Sequence, residues 1–517
     1  MDLKVDFKNY HSPPRADFND VDAIHNHSAE TQDIESSVVD NNPGQPLYNA
    51  EIYGSLRKGG AVKFFSMDCV GLVAATFAST FSMECLNSVI LPMLKEHFGL
   101  KTAELAAAKR LTSIPLAFCF FIGLLSDSYP ILGFRRKGYL IIGLATTVLS
   151  FFVLSGLDGY IETMEDGTAG TGLAVAIITF ATLASTGNIM TYVCIQTRVL
   201  ELSQREPLVC EELSPEPLLV FGIVVALSIP LVWKAWQEKY YSLSTPMKTR
   251  GQILWRIMQQ KAVWSILMFM CFYTLFAGIA FSGPSVIISV WAGASGDNTF
   301  VQQLMYYGAM LFTIVAWRYY FMNRPWRAFY GMSIVLLIIP QLVLAILVTQ
   351  DTLRDRYFYR FMTLFTSISA GIGWLSSLIP LTEIIQEGSE GAMVGLMLSL
   401  YFLVTAFVQT NAEGLLNGTN FYNIAEVALD TSEARSDVLK ALILNYGINA
   451  LAFIGLYFLP RQKLDTQQLR SYGGYTKCAS AAIVTFAVVL FLYSLIITVL
   501  TLNPSTSCLS IAGGDGC

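Results

Sequence analysis

Apolar residues run through this chain in long blocks rather than in the narrow amphipathic faces of soluble helices or the alternation of half-buried strands. The blocks fall at about 67–94, 106–126, 138–157, 172–196, 217–236, 263–291, 301–322, 329–349, 361–385, 391–415, 437–459 and 479–502. Each is long enough to cross a hydrocarbon core of ~30 Å. In lipid a segment must satisfy its own backbone N–H and C=O groups, so each block is predicted to be a helix; a β-barrel would carry short alternating segments instead. The expected fold is therefore all-α, a polytopic membrane helical bundle of about 12 spans.

Composition agrees. Hydrophobic residues make 54% of the 517 residues and charged ones only 14%, against about 25% charged in soluble domains. Mean hydropathy is +0.51. The net charge of -5 offers no electrostatic reason for a nucleic-acid partner. The nine Cys form no CxxC or Cys/His cluster, so no metal site is expected. No Walker loop, HExxH or GxSxG is present, so an enzyme with catalytic residues is not expected, nor is a cofactor. His11, His25, His27 and His97 lie outside the blocks, so proton coupling would fall to carboxylates.

The scarce charges set the orientation. Arg57, Lys58 and Lys63 precede the first block and place the N-terminus in the cytoplasm. Arg135, Arg136 and Lys137 put the loop after the second block inside, and the acidic loop 158–171, without Lys or Arg, fits outside. Parity then breaks at block 217–236, because Lys234, Lys239, Lys248, Arg250, Arg256 and Lys261 mark the next loop as inside too. Downstream the alternation is regular. It leaves the sequon at Asn417 and the Cys508/Cys517 tail outside, where glycosylation and a disulfide are chemically open to them. Either one span is missing between Pro207 and Pro217, or 217–236 dips in and returns.

The densest polar motif ends the second block: Gly123-Leu-Leu-Ser-Asp127-Ser-Tyr-Pro130-Ile-Leu-Gly133-Phe-Arg135-Arg136-Lys137. An acid at a helix end, a Pro/Gly turn and three cations make a compact hinge. Asp127 can accept charge-assisted bonds from Arg135 or Arg136, and breaking that pair would gate a rocking bundle. Lys137 is read as a topology charge.

This run resembles the signature of the folate–biopterin transporter family, a branch of the major facilitator superfamily. Leu200-Glu-Leu-Ser-Gln-Arg-Glu-Pro207 and Glu387-Gly-Ser-Glu-Gly391 resemble two further segments of it. The resemblance covers about residues 65–505. It implies a two-lobed bundle with alternating access, working as a symporter of folates, pterins or related organic anions. The family carries acids where this chain has Tyr192 and Gln196, and a Lys where it has Cys119. The family's fifth helix shrinks here to Leu208–Glu216, at the place where parity breaks.

The implied plan is a disordered cytoplasmic tail (1–64), an N-terminal transmembrane lobe (65–207), a span plus central cytoplasmic loop (208–262), a C-terminal transmembrane lobe (263–460), and an extra terminal span with an outside tail (461–517). Glu84 stands in the middle of the first block, where a charge costs about 3 kcal/mol unless it faces an interior. Glu84, Asn87, Asn188, Gln196, Arg198 and Asn411 are the candidates for a substrate path, and Asp127, Arg135 and Arg136 for its gate. The Gly391/Gly395 pair predicts close helix packing. Trp233, Trp236, Trp317 and Trp326 are placed in an interfacial belt. The transporter would sit in the plasma membrane, its partners being a small folate- or pterin-class substrate and the lipid bilayer. The other reading is a degenerate, non-transporting receptor or scaffold. Glycosylation acceptors placed at 210 and at 245 report on the join: the same side for both is the expected outcome, and opposite sides overturn it.

Overall fold

The computed structural model describes residues 67–98, 102–163, 171–203, 246–294, 299–321, 324–386, 388–414 and 430–502, together with Pro230, Trp233, Lys234, Trp236 and Glu238. The tail 1–64, most of the block at 217–236, Asn417, Cys508 and Cys517 lie outside these residues. Among the described residues every extended element is helical, apart from the isolated bridges Ile131–Phe134 and Gln260–Tyr475.

The first helices are α1 (Met67–Phe98), α2 (Thr102–Ser113), a 3-10 turn (Ile114–Phe118) that continues into α3 (Cys119–Ser128), α4 (Lys137–Glu162) and α5 (Thr171–Ser203). After the join come α6 (Met247–Met258), α7 (Lys261–Ala277), α8 (Ser282–Trp291), α9 (Thr299–Ala316), α10 (Trp326–Thr349), α11 (Arg356–Ile384) and α12 (Glu390–Gly414). The chain closes with α13 (Ser432–Ala450), α14 (Ala452–Phe458), α15 (Lys463–Tyr472) and α16 (Lys477–Leu502). Among the described residues nine helical stretches are long and apolar enough to cross a membrane. The all-α polytopic bundle expected from the apolar blocks is thus present.

One block departs from a simple span. Residues 263–291 divide into α7 and α8 around Gly278–Phe281. A break in lipid leaves backbone groups without partners, and two Asn on α13 supply them. Asn445 Oδ1 accepts the Phe281 N–H at 3.0 Å, and Asn449 Nδ2 donates to the carbonyls of Phe276 and Ile279 at 2.8 and 2.9 Å. Asn445 also donates to Asn449 Oδ1 at 3.0 Å, so both side chains are held. Trp236 and Trp326 also depart from the expected belt: both are buried, Trp326 in an aromatic core with Phe329 and Tyr330.

The centre of the bundle is α12. Of its spanning window 72% is buried, against 22% for α16 at the periphery. A continuous apolar core joins it to α3, α5, α7 and α16 through Cys119, Val193, Ile266, Met397 and Leu490. The crossing of α3 and α12 is close enough to exclude a Cβ. A side chain at Gly123 would meet the Gly391 carbonyl, and one at Gly395 would meet the Cys119 carbonyl. Ser399 crosses the same seam, accepting the Phe120 N–H and donating to the Ala117 carbonyl, both at 2.9 Å. At the end of the bundle near the α11–α12 loop, amphipathic α15 pins buried Glu383 through Gln467 at 3.2 Å and Lys463 at 4.0 Å.

Gly395→Leu should force α3 and α12 apart and cost about 3 kcal/mol, the upper end of overpacking. Gly156→Leu, where a Cβ meets nothing, should be neutral or slightly stabilising. Thermal unfolding of the purified variants in detergent checks the contrast, and equal midpoints would remove the close-crossing account.

Candidate functional site

The charged motif folds into a reversed turn between α3 and α4. Leu132 and Gly133 both take left-handed backbone angles (φ 55 and 80), and the Ile131–Phe134 bridge closes the turn. A non-Gly residue there costs about 1 kcal/mol. Tyr139 helps to hold the turn, its hydroxyl donating to the carbonyls of Leu125 and Tyr129 at 3.2 and 2.9 Å. The reversal lays Arg136 back across the end of α3.

Arg136 is buried, only 2% exposed. Its guanidinium donates to Ser126 Oγ at 2.5 Å and to Asp127 Oδ1 at 2.6 Å. It also lies 3.5 Å from Glu201 at the end of α5 and 3.6 Å from Glu390 at the start of α12. Burial opposes its charge, but Asp127, Glu201 and Glu390 outweigh that and hold the guanidinium well above its ordinary range.

Asp127 serves a second helix. Its carboxylate accepts the N–H groups of Gly391 and Ala392 at 3.2 and 2.7 Å. The first amides of any helix have no intrahelical partner and carry the positive end of its dipole. A carboxylate from α3 therefore caps α12, across 264 residues of sequence. Arg250 of α6 adds a further tie, its guanidinium donating to the Gly388 carbonyl just before α12. Together these contacts form a latch between N-terminal helices α3–α5 and the C-terminal helix α12.

The N-terminus of α4 has its own cap. Glu238 accepts the backbone N–H groups of Arg135, Arg136 and Lys137, each at 2.9 Å. Lys137 Nζ bonds the Trp236 carbonyl at 3.3 Å and lies over the Phe134 and Trp233 rings. Glu238 escaped the sequence reading. Its signal was there, as the lone acid in the basic stretch from Lys234 to Lys261.

The other candidates divide. Arg198 pairs with Glu201 at 3.0 Å, the carboxylate that also faces Arg136 in the latch. Asn188 is buried between α1 and α5, accepting from Ser79 at 2.7 Å and facing Met83 Sδ at 3.6 Å. Gln196 is buried on α5. Asn411 donates to the Tyr493 hydroxyl of α16 at 2.9 Å. Glu84 and Asn87 are exposed on α1, and Glu84 accepts a hydrogen bond from the Tyr307 hydroxyl of α9 at 2.9 Å. Tyr307 also lines a cavity of about 370 Å³ with Gln302, Gln303, Tyr306, Tyr359 and Arg360. The sequence reading passed over these residues because they fall as short polar pairs on two apolar helices and meet only across α9 and α11. On the other side of Glu84, a cavity of about 530 Å³ runs along α1 past Thr76, Phe77 and Thr80. Among the described residues no group of His, Cys, Asp and Glu is placed to hold a metal ion.

Residues 82–215 match the model of the BT1 family. A 68-residue stretch is 35% identical to Folate transporter 1 of Plasmodium falciparum (isolate 3D7), a match spanning 13% of this chain and 14% of that protein. The fold also overlays the crystal structure of a bacterial homologue of the iron transporter ferroportin in an outward-facing state. That overlay has a TM-score of 0.47 and 12% identity, covering 76% of this chain and 100% of the other. Over residues 82–215, which hold the whole α3–α4 turn and the end of α5, the resemblance to the folate–biopterin transporter family is therefore borne out.

Proposed function

We propose that this chain is a secondary transporter of the major-facilitator type, carrying a folate, pterin or related organic anion by alternating access. The observation that carries this reading is the latch. It ties α3, α4 and α5 to α12 at one end of the bundle, with a buried ion pair and a shared helix cap. Away from that end, the inter-helix contact at Glu84 and Tyr307 is a single hydrogen bond flanked by cavities. A bundle with its buried ion pair at one end, and a single hydrogen bond between Glu84 and Tyr307 away from it, has the asymmetry that rocking requires. In this reading the latch faces the cytoplasm and acts as an inner gate, and the protein sits in the plasma membrane.

The cavity chemistry suits the substrate class. Arg360 offers a planar cation for a carboxylate, and Tyr306, Tyr307 and Tyr359 offer faces for a flat heterocycle. Gln302 and Gln303 offer both donors and acceptors to ring nitrogens and oxygens. Glu84, bonded to Tyr307 between the two cavities, is the carboxylate placed to carry a proton with the anion.

Breaking the latch should move the closed–open balance. Removing one partner of a buried ion pair costs about 3–5 kcal/mol, at least a hundredfold in population at ~1.4 kcal/mol per decade. In a chain keeping Cys119 as its sole cysteine, Asp127→Asn should sharply raise labelling of that buried thiol by a permeant maleimide. Unchanged labelling would sink the gate. Cells expressing the chain should take up labelled folic acid or biopterin above empty cells, with Asp127→Asn at least tenfold lower. Uptake no greater than in empty cells across a panel of folates and pterins would overturn the substrate class.

A further inference from the structure

A third cavity, of about 190 Å³, lies apart from the latch and from Glu84. It opens among α2, α12 and α16 at the end of the bundle opposite the latch. Its walls come from the first turns of the span Ala108–Ser128, the last turns of Glu390–Asn411 and the last turns of Lys477–Leu500, so all three sides lie at one depth. The lining is graded along the helices. Lys109 and Arg110 stand near the outer end of the cavity's helices with Gln409 and Thr410, while Leu116, Ala117, Phe402 and Leu403 lie about two turns deeper in the bundle, as an apolar floor. From Arg110 to Ala117 the chain descends about 10 Å at ~1.5 Å per residue.

We propose that this cavity binds an anionic membrane lipid from the leaflet on that side, its phosphate at Lys109 and Arg110 and the upper part of one acyl chain in the apolar floor. Three observations carry this. The polarity gradient runs in the same sense as that of a lipid in the leaflet on that side, the extracytoplasmic one in the proposed orientation, with cations at headgroup level and hydrocarbon below. One wall helix, α16, is the least buried of the nine candidate spans, so a chain can enter sideways past it. The walls also belong to both parts of the molecule, since α2 continues into the latch helix α3 while α12 is its partner. A lipid seated there would brace the two against each other at the end away from the latch. Tyr493, held by Asn411, forms part of the wall and gives the headgroup region a fixed hydroxyl-bearing side.

The test uses the purified full-length chain in a neutral detergent, read by thermal unfolding. Lysophosphatidylglycerol should raise the midpoint by several degrees, lysophosphatidylcholine should not, and free glycerol phosphate should not. Lys109→Gln with Arg110→Gln should remove the shift through charge, and Ala406→Trp should remove it by filling the cavity with the cations intact. Equal shifts from both lipids, or a shift that survives both variants, would overturn the proposal. A shift from glycerol phosphate alone would reassign the site to a soluble phosphate ester and overturn the lipid. Should either variant fail to fold, a photoactivatable phosphatidylglycerol on the wild-type chain decides. Cross-links to peptides containing 402–410 or 493–498 support the site, and cross-links confined to other segments overturn it.

Discussion

A guanidinium removed from water can stay charged only if carboxylates surround it, and Arg136 shows how far that requirement shapes this bundle. Asp127, Glu201 and Glu390 come from three helices and converge on it. The ends of α3 and α5 and the start of α12 must therefore meet at one point. The glycine-lined crossing of α3 and α12 then follows, because the Asp127 carboxylate reaches the first amides of α12 only if the backbones nearly touch. Buried ion pairs add little net stability by themselves, but losing one partner is expensive. That asymmetry suits a latch better than a rivet: it favours one arrangement sharply without deepening the fold.

What could be read from the sequence follows from contrast. Apolar blocks in a chain with 14% charged residues mark themselves as spans, and the Asp127-to-Lys137 run stands out as a polar island. That Asp127 would meet Arg135 or Arg136 was legible because a short loop with a Pro/Gly turn brings them together, and it is Arg136 that bonds it. Gly391 and Gly395 were legible as a packing pair, though not as the partner of Gly123. What stayed hidden depends on long-range meeting. Glu390 as an ion-pair partner, Glu238 as a cap and Arg360 among tyrosines each need a contact whose sequence separation carries no local signal. Asn445 and Asn449 were hidden for a different reason: their task is set by a break in α7–α8, and the apolar block ran straight through it.

Polar residues in this protein are spent mostly on geometry. Asn188, Ser79, Ser399, Asn445 and Asn449 bind backbone or each other, and so hold helix ends, breaks and crossings in lipid where water cannot. Glu84 and Asn87, exposed on α1, and the tyrosine-lined wall of α9 and α11 lie away from the latch. The division separates fixed scaffold from the surfaces available to a ligand.

The cap that Glu238 places on α4 also bears on topology. Glu201, at the end of α5, reaches the Arg136 guanidinium, and Glu238 reaches the Arg136 backbone. The chain therefore leaves α5 and returns toward α6 at the same turn, on the same face of the bundle. That fixes the handing-over point between the two halves independently of the segment between them. The two ends of the join, which the charge pattern of the sequence assigned to one side, thus lie beside a single turn.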